Sequence, residues 1–339
     1  MANMNILVIN YFERLHLHES INGNKFKAGT CEKVLVAIKN EFVEKKRQIT
    51  LKTLEELQNM KGIGKSSIDK IKEIIETKKL KIVDDLDITQ DTLTFFKILS
   101  NDVYGIGPVK AKKILTEGIH SMEELDIYIK ETDPKFLNKN QAKGLLYYKD
   151  TSQRIPYSEM QKHEQFILCA LHKSIPGINI TICGSYRRKA KNSGDIDVLI
   201  SDPQGRPKIL QNCIKILEKI EYIIDSYAKG VTKFMGVCRL PDSLIRRIDI
   251  VQTTIHEYPF AILYFTGSGD YNRMVRAKAN EMGYTLNEHG IQPFSDGEKK
   301  EMDMKQYQLF LTKHKLDSER NIIEFLGLPY LEPHLRVIE

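Results

Sequence analysis

The apolar positions change their period along the chain. Through residue 85 they recur at helical spacing: Val34, Leu35 and Ile38 within 31–42, and Ile68, Ile71, Ile74 and Ile75 within 66–78. Residues 86–152 keep the helical pattern, most clearly over 91–99 and 108–115. Past Ile178 short apolar runs take over, at 178–183, 195–200, 234–240 and 246–253, with a helix expected over 209–220 between them. Beyond Tyr258 the two periods mix, up to a tail that begins near Pro329. The pattern predicts a multidomain α+β protein: a helical N-terminal part, a mixed β-sheet with helices, then a C-terminal α+β subdomain.

One internal repeat stands in the helical part. Leu57-Gln58-Asn59-Met60-Lys61-Gly62-Ile63-Gly64-Lys65-Ser66 and Val103-Tyr104-Gly105-Ile106-Gly107-Pro108-Val109-Lys110 share apolar-x-Gly-Ile-Gly, each followed by a basic helix. This is the helix-hairpin-helix pattern. Gly62, Gly64, Gly105 and Gly107 let the backbone turn tightly, and the amides of the next helix then point at a nucleic-acid phosphate. Lys65 and Lys110 add counter-charge. Such contacts address the backbone and not the bases. One Gly-x-Gly is usually just a turn; two in matching context carry weight.

The run Gly184-Ser185-Tyr186-Arg187-Arg188-Lys189-Ala190-Lys191-Asn192-Ser193-Gly194-Asp195-Ile196-Asp197 carries the candidate chemistry. Gly184 and Ser185 offer a tight turn, backbone N–H groups and a hydroxyl to a phosphate, and Arg188 adds a charged fork. Side chains alternate along a strand, so Asp195 and Asp197 share a face, roughly 6–7 Å apart. Arg246-Arg247-Ile248-Asp249 reads as a second strand bearing a third acid. If the strands are neighbours, three carboxylates converge on a site for two Mg²⁺ ions, with Mn²⁺ able to substitute, suited to phosphoryl or nucleotidyl transfer. A single strand Asp is normally a solvated charge; the combination with the Gly-Ser turn outweighs that reading.

Composition narrows the setting. A net charge of +6 is compatible with a polyanionic partner. The five cysteines (Cys31, Cys169, Cys183, Cys213, Cys238) show no metal-binding spacing and no disulfide framework, which points to a reducing, intracellular compartment, nucleus or cytoplasm. No apolar run reaches the length of a membrane span and no signal peptide is visible. His16 and His18 lack partners at ligand spacing.

The blocks 184–199, 229–238, 246–250 and 264–268 together resemble the family X DNA polymerases, of the polymerase beta type, from about residue 25 onward. The resemblance implies a helical lyase-like domain at 1–85, a second hairpin domain at 86–152, a catalytic palm at 153–258 and a nucleotide- and template-binding subdomain at 259–339. It implies a gap-filling, template-directed polymerase that adds dNTPs to a primer 3′-OH on gapped or nicked DNA, as a monomer. Asp195, Asp197 and Asp249 are then the metal ligands. Arg154, Gly184, Ser185, Arg188, Gly194, Tyr264, Phe265, Gly267 and Asn272 address the nucleotide. Lys233, Arg247, Arg273 and Arg276 address DNA. The main-chain carbonyls of Gln58, Met60 and Ile63, and of Asn101, Val103 and Ile106, hold Na⁺ or K⁺ at the hairpins.

The same resemblance puts Lys70 at the Schiff-base nucleophile of a 5′-deoxyribose-phosphate lyase, with Lys27, Lys65 and Lys72 as neighbouring cations. A neutral amine is required, so such a lysine needs burial or nearby positive charge. Several positions depart from the family pattern: Cys31 replaces a tyrosine, Gln58 and Ser66 replace phosphate-binding lysines, Gly269 displaces Asp270 from base contact, and Val251 replaces an arginine. Two rivals remain: a template-independent nucleotidyltransferase, disfavoured because only 241–245 separates the late strands, and a non-catalytic DNA-end-binding scaffold, disfavoured by the three aspartates.

Overall fold

The helical periodicity of the first half resolves into helices around one apolar core, in a computed structural model that describes residues 3–84, 88–295, 298–299 and 302–336. The chain divides into two units, Met1–Leu145 and Leu146–Glu339. In the first, α1 (Met4–Ile21), α2 (Lys25–Ile38), α3 (Leu54–Gln58), α4 (Lys65–Thr77) and α5 (Lys81–Asp84) enclose Phe12, Val34, Ile38, Leu57, Ile71 and Ile74. Then come α6 (Gln90–Lys97), α7 (Pro108–Thr116) and α8 (Met122–Ile127); the division falls within α9 (Lys139–Thr151). The helix expected at 31–42 begins earlier, at Lys25, and its end widens into a π-type turn at Lys39–Glu44. A second π-type turn, Ile98–Asp102, ends the helix expected at 91–99. No helix among the described residues is long and apolar enough to cross a membrane.

The second unit contains β1 (Ile155–Pro156), α10 (Tyr157–Ser174), β2 (Asn179–Ile182), α11 (Gly184–Arg187), β3 (Asn192–Ser193), β4 (Ile196–Ser201), α12 (Ile209–Lys219), β5 (Ile223–Lys229), β6 (Lys233–Cys238), β7 (Arg246–Thr253) and α13 (Tyr258–Thr266). Five strands form one sheet in the order β2-β4-β7-β6-β5, with β4 and β7 parallel and the other pairs antiparallel. Ile196, Val198, Ile200, Ile248 and Ile250 pack with Ile167, Leu171, Leu210 and Leu217 of α10 and α12. Leu199, on the other face, packs with Cys183 and with Ala261 of α13. Strand alternation therefore turns Asp197 and Asp249 away from the large core. Sequence periodicity misses β5, because Asp225 and Ser226 interrupt its apolar alternation and the strand is irregular at both.

The C-terminal elements are α14 (Gly269–Glu281), β8 (Tyr284–Asn287), β9 (Gly290–Ser295), β10 (Glu298–Lys299), α15 (Met304–Lys313) and α16 (Glu319–Phe325). The three strands form an antiparallel sheet. Its core includes Phe260, Tyr271, Val275, Ile291, Leu311 and Ile322.

Beneath the main sheet, His163 is fully buried, with Nδ1 hydrogen-bonded to Tyr222 Oη at 2.7 Å. Burial holds its pKa down at about 4, although Glu159 pulls the other way. The unfolded chain takes up this proton first, so the stabilisation is complete above pH 6.5 and is lost as pH falls toward 4. We expect about 3 kcal/mol of acid destabilisation from this group across that window. Unfolding at pH 7 and pH 5 checks it: His163→Gln flattens the slope, and equal wild-type stability at both pH values refutes it.

Candidate nucleotidyl-transfer site

The parallel pairing of β4 with β7 sets Asp197 opposite Asp249. Asp195 lies one residue before β4. Gly184 opens α11 at φ +58°, and a Cβ there would lie 2.2 Å from Asp197 Oδ2, so glycine lets the turn close over that carboxylate. Ser185 Oγ donates to Ser193 Oγ at 2.9 Å, tying the turn to β3. Arg154 donates through Nε to Asn192 Oδ1 (2.8 Å) and through Nη2 to the Asn192 carbonyl (3.1 Å). Gly194 leaves room for it: a Cβ would lie 2.8 Å from Arg154 Nη1. Arg188 Nη1 donates to the Thr266 carbonyl at 2.5 Å, beside Gly267. Gly184, Ser185, Arg188, Gly194, Arg154 and Gly267 thus lie around the aspartate strands.

The electrostatics are those of crowded acids. Burial, with repulsion from Asp195 and Asp249, pushes Asp197 well above the usual carboxylate range. Burial also raises Asp249, partly offset by Lys233 and Arg247. The three acids are near enough to repel one another, and two of them also meet a cation. Asp195 Oδ2 accepts from Arg247 Nη2 at 3.0 Å, and Asp249 Oδ2 lies 3.5 Å from Lys233 Nζ. Among the described residues no three His, Cys, Asp or Glu side chains are gathered as one ligand group. A nearby cation lowers the cost of keeping crowded carboxylates charged. The donors still fit a hard divalent cation, being all oxygen and in excess of negative charge. Lys233 and Arg247, expected on DNA, sit here on the acids.

Tyr264 and Phe265 meet edge to face, with centroids 5.2 Å apart. Phe265 lines a small cavity with Asp197, Lys233, Asp249 and Val251. Tyr264 lines another with Asn272 and Arg276. Asn272 Nδ2 donates to the Tyr264 carbonyl at 2.7 Å, so the amide expected at a base edge is fixed by α13. Arg273 pairs with Asp270 on the same exposed helix turn.

Sequence reasoning missed one cluster. Arg187 donates to Thr266 Oγ1 (2.6 Å) and doubly to Glu319 (3.0 and 2.6 Å). Arg336, wholly buried, donates to Glu319 Oε1 at 2.6 Å and to the Leu331 carbonyl at 2.9 Å. No local pattern signals a pairing between residues 132 positions apart.

In the first unit the two hairpins match. Gly62 (φ +92°) and Gly105 (φ +81°) make the turns, Met60 and Val103 carbonyls accept from Ile63 and Ile106 at 3.2 and 3.1 Å, and Gly64 and Gly107 precede α4 and α7. Gln58 ends α3, and Asn101 lies in the π-type turn at Ile98–Asp102. Lys65 opens α4 and is exposed. Lys70 Nζ donates to Ser66 Oγ at 2.7 Å and to its carbonyl at 3.2 Å. Burial pushes the Cys31 thiol up to about 11, with Glu19 adding to the rise and the Lys70 charge opposing it. Lys27 and Lys72 do not stand as free cations beside Lys70: they pair with Glu19 (3.7 Å) and Glu76 (3.9 Å). Lys110 is held on the Phe136 carbonyl and over its ring, 3.7 Å from the centroid, instead of pointing to solvent as a phosphate contact.

Residues 154–254 match the DNA polymerase beta palm and residues 261–337 the DNA polymerase beta thumb. This chain belongs to the family X DNA polymerases. The family X chain is 30% identical over 299 residues to DNA polymerase lambda of Arabidopsis thaliana, an overlap of 84% of this chain and 54% of the plant protein. It is 29% identical over 341 residues to DNA polymerase lambda of Rattus norvegicus, covering 98% of this chain and 56% of the rat protein. It therefore spans about half the length of these curated relatives. The multidomain α+β fold, with helices first and the mixed sheet after, agrees with that membership.

Proposed function

We propose that this chain is a template-directed DNA polymerase that fills short gaps, transferring a nucleotide from a dNTP to a primer 3′-OH. The observation that carries the reading is the direct pairing of Asp197 with Asp249 beside the Gly184–Arg187 turn. The 3′-oxygen forms a bond to the α-phosphorus, the bond to the β-phosphate oxygen breaks, and pyrophosphate leaves. Asp195, Asp197 and Asp249 would hold the divalent ions, Mg²⁺ or Mn²⁺, whose chemistry is to acidify the 3′-hydroxyl and neutralise charge on the phosphates. Asp249 lies nearest the departing proton. Arg154, Ser185, Arg188 and Gly194 bind and orient the triphosphate. Tyr264, Phe265 and Gly267 flank the sugar, Asn272 the base edge, and Arg273 and Arg276 the template. The paired hairpins grip the DNA backbone on either side of the gap, with a monovalent cation on their carbonyls.

The experiment is extension on a one-nucleotide gap, with and without a 5′-phosphate, against a template-free single strand. Addition of the templated nucleotide on the gap alone is expected; equal tailing of the single strand refutes templating. The seven residues of the 239–245 loop between β6 and β7 agree with templated synthesis, being too short to stand in for a template strand.

A second activity is favoured by Lys70 on α4, next to its hairpin. Its amine attacks the aldehyde carbon of a 5′-deoxyribose phosphate and water leaves to give a Schiff base; loss of a C2′ proton to solvent then breaks the C3′–O bond, freeing the DNA with its 5′-phosphate, and water hydrolyses the imine to return the amine. Borohydride should trap this adduct on Lys70, and Lys70→Ala should lose most of it while gap filling persists. An adduct surviving on Lys27, Lys65 or Lys72 moves the nucleophile; no wild-type adduct removes the lyase. The Ser66 contacts on the amine and the buried thiol at Cys31 lead us to expect slow trapping.

A further inference from the structure

Arg154, Ser185 and Arg188 come from two short segments, and a buried contact joins the segments. Arg154 precedes β1, which pairs with β3 through Ile155 opposite Ser193 and Pro156 opposite Asn192. Ser185 lies in α11, a helix of four residues, and Arg188 caps its end. One helical turn is not stable by itself, so its geometry depends on what its side chains grip. Tyr186 of α11 is 7% exposed and donates through Oη to Glu164 Oε2 on α10 at 2.5 Å. Its ring lies beside Tyr157, the first residue of α10, with centroids 5.0 Å apart. The Tyr186 carbonyl accepts from the amides of Arg188 and Lys189. The Tyr157 N–H donates to the Lys191 carbonyl at 3.1 Å, which ties the start of α10 to the stretch between α11 and β3. Burial raises the Tyr186 phenol above its ordinary range and the Glu164 carboxylate adds to the rise, so Oη keeps its proton and donates. Phenylalanine would fill the same space; the hydroxyl adds a fixed direction to the packing.

We propose that Tyr157, Tyr186 and Glu164 form a clasp that sets the spacing between Arg154 and the Ser185–Arg188 turn, and that this spacing selects a triphosphate over shorter phosphate chains. Tyr157 follows Arg154 by three residues, and Tyr186 sits between Ser185 and Arg188. Each half of the clasp is therefore rigidly coupled to one half of the phosphate cradle. A triphosphate is long enough to engage both halves at once. It gains from both only if their separation is fixed beforehand, because a cradle that must be ordered on binding loses that entropy from its affinity. A diphosphate engages one half and is indifferent to the spacing. The three clasp residues are positioning residues, acting through Arg154, Ser185 and Arg188. The inference rests on the reading of those three as triphosphate binders.

The test uses the full chain on gapped DNA with a dideoxy-terminated primer, so that nothing turns over. Binding of dATP and of dADP opposite a template dT is followed by the fluorescence of a 2-aminopurine beside the gap. In Tyr186→Phe the Kd for dATP should rise about fivefold to tenfold, the scale of one lost hydrogen bond to a charged group. The Kd for dADP should change by less than about twofold, so the preference for the triphosphate narrows. Glu164→Ala should match Tyr186→Phe, the double variant should be no worse than either, and Glu164→Gln, which keeps an acceptor, should recover part of the loss. Single-turnover extension on an ordinary primer, at saturating dATP, should keep its rate within about twofold. Thermal melting confirms that each variant is folded, and Glu164→Gln carries the test if Tyr186→Phe is not. An equal rise for dATP and dADP means general loosening and overturns the proposal, as does an unchanged Kd for both. Arg154→Ala and Arg188→Ala separate the two readings. If they leave dATP binding unchanged, the phosphate-cradle reading itself fails; if they weaken it while the clasp variants change nothing, only the clasp fails.

Discussion

Asp249→Ala should lower nucleotide addition on gapped DNA by at least about a thousandfold, the scale on which loss of a transition-state electrostatic partner acts. Asp249 lies directly opposite Asp197, with its carboxylate against the Lys233 ammonium. On the proposed mechanism its removal takes away a metal ligand and the group nearest the attacking hydroxyl. The substitution leaves the residues of both hairpins unchanged, and affinity for DNA comes mainly from phosphate contacts. Gapped-DNA affinity should therefore stay within a few-fold of wild type, or rise slightly because Lys233 is freed. Single-turnover extension and anisotropy measure the two quantities. Templated synthesis at a tenth of the wild-type rate would falsify the role given to Asp249.

Glu319→Ala should destabilise the second unit by about 3–5 kcal/mol, the penalty for breaking a buried ion pair from one side. Glu319 is 8% exposed and is the common acceptor for Arg187 and the fully buried Arg336. Arg336 also lies over Tyr271 and Tyr330, at 5.3 and 5.4 Å from the ring centroids. Without Glu319 the buried Arg336 loses its carboxylate and keeps only the Leu331 carbonyl, while the partly exposed Arg187 keeps Thr266. The thermal transition of the second unit should drop by roughly 10 °C, on the usual scale for a unit of this size. Glu319→Gln keeps the shape but not the charge and should recover only part of the loss. A shift under about 2 °C for Glu319→Ala would mean that the cluster is hydrated and energetically slight.

The sequence is informative where chemistry needs neighbours in the chain. The Gly184–Asp197 run is contiguous, and its strand and turn follow from alternation and from glycine, so the placement of Asp197 near Gly184 is legible. Both hairpins are legible for the same reason: Gly62 and Gly105 carry positive φ at equivalent places. The pairing of β4 with β7 is compatible with the sequence without being dictated by it, because a parallel pair is joined by a long crossover whose path no local pattern encodes. Long side chains are the least legible. Lys110 onto Phe136, Lys233 onto Asp249 and Arg187 onto Glu319 are settled by whichever anion or carbonyl lies within reach in three dimensions. A lysine on a basic helix reads the same in sequence whether it meets a phosphate or a backbone carbonyl. β5 escapes notice because an edge strand with two irregularities has no clean period.

The parallel register of β4 and β7 also bears on how this protein can change over evolutionary time. Asp197 faces Asp249 because a ladder of main-chain hydrogen bonds sets the two strands about 4.8 Å apart, and that spacing belongs to the peptide backbone, not to any side chain. Core residues behind the sheet can drift in size without re-spacing the acids. An insertion or deletion of one residue within either strand is a different matter: every later side chain changes face, and Ile248 or Ile250 arrives where Asp249 stood. Variation within these two strands should therefore proceed by substitution alone, with changes of length confined to the loops that join them.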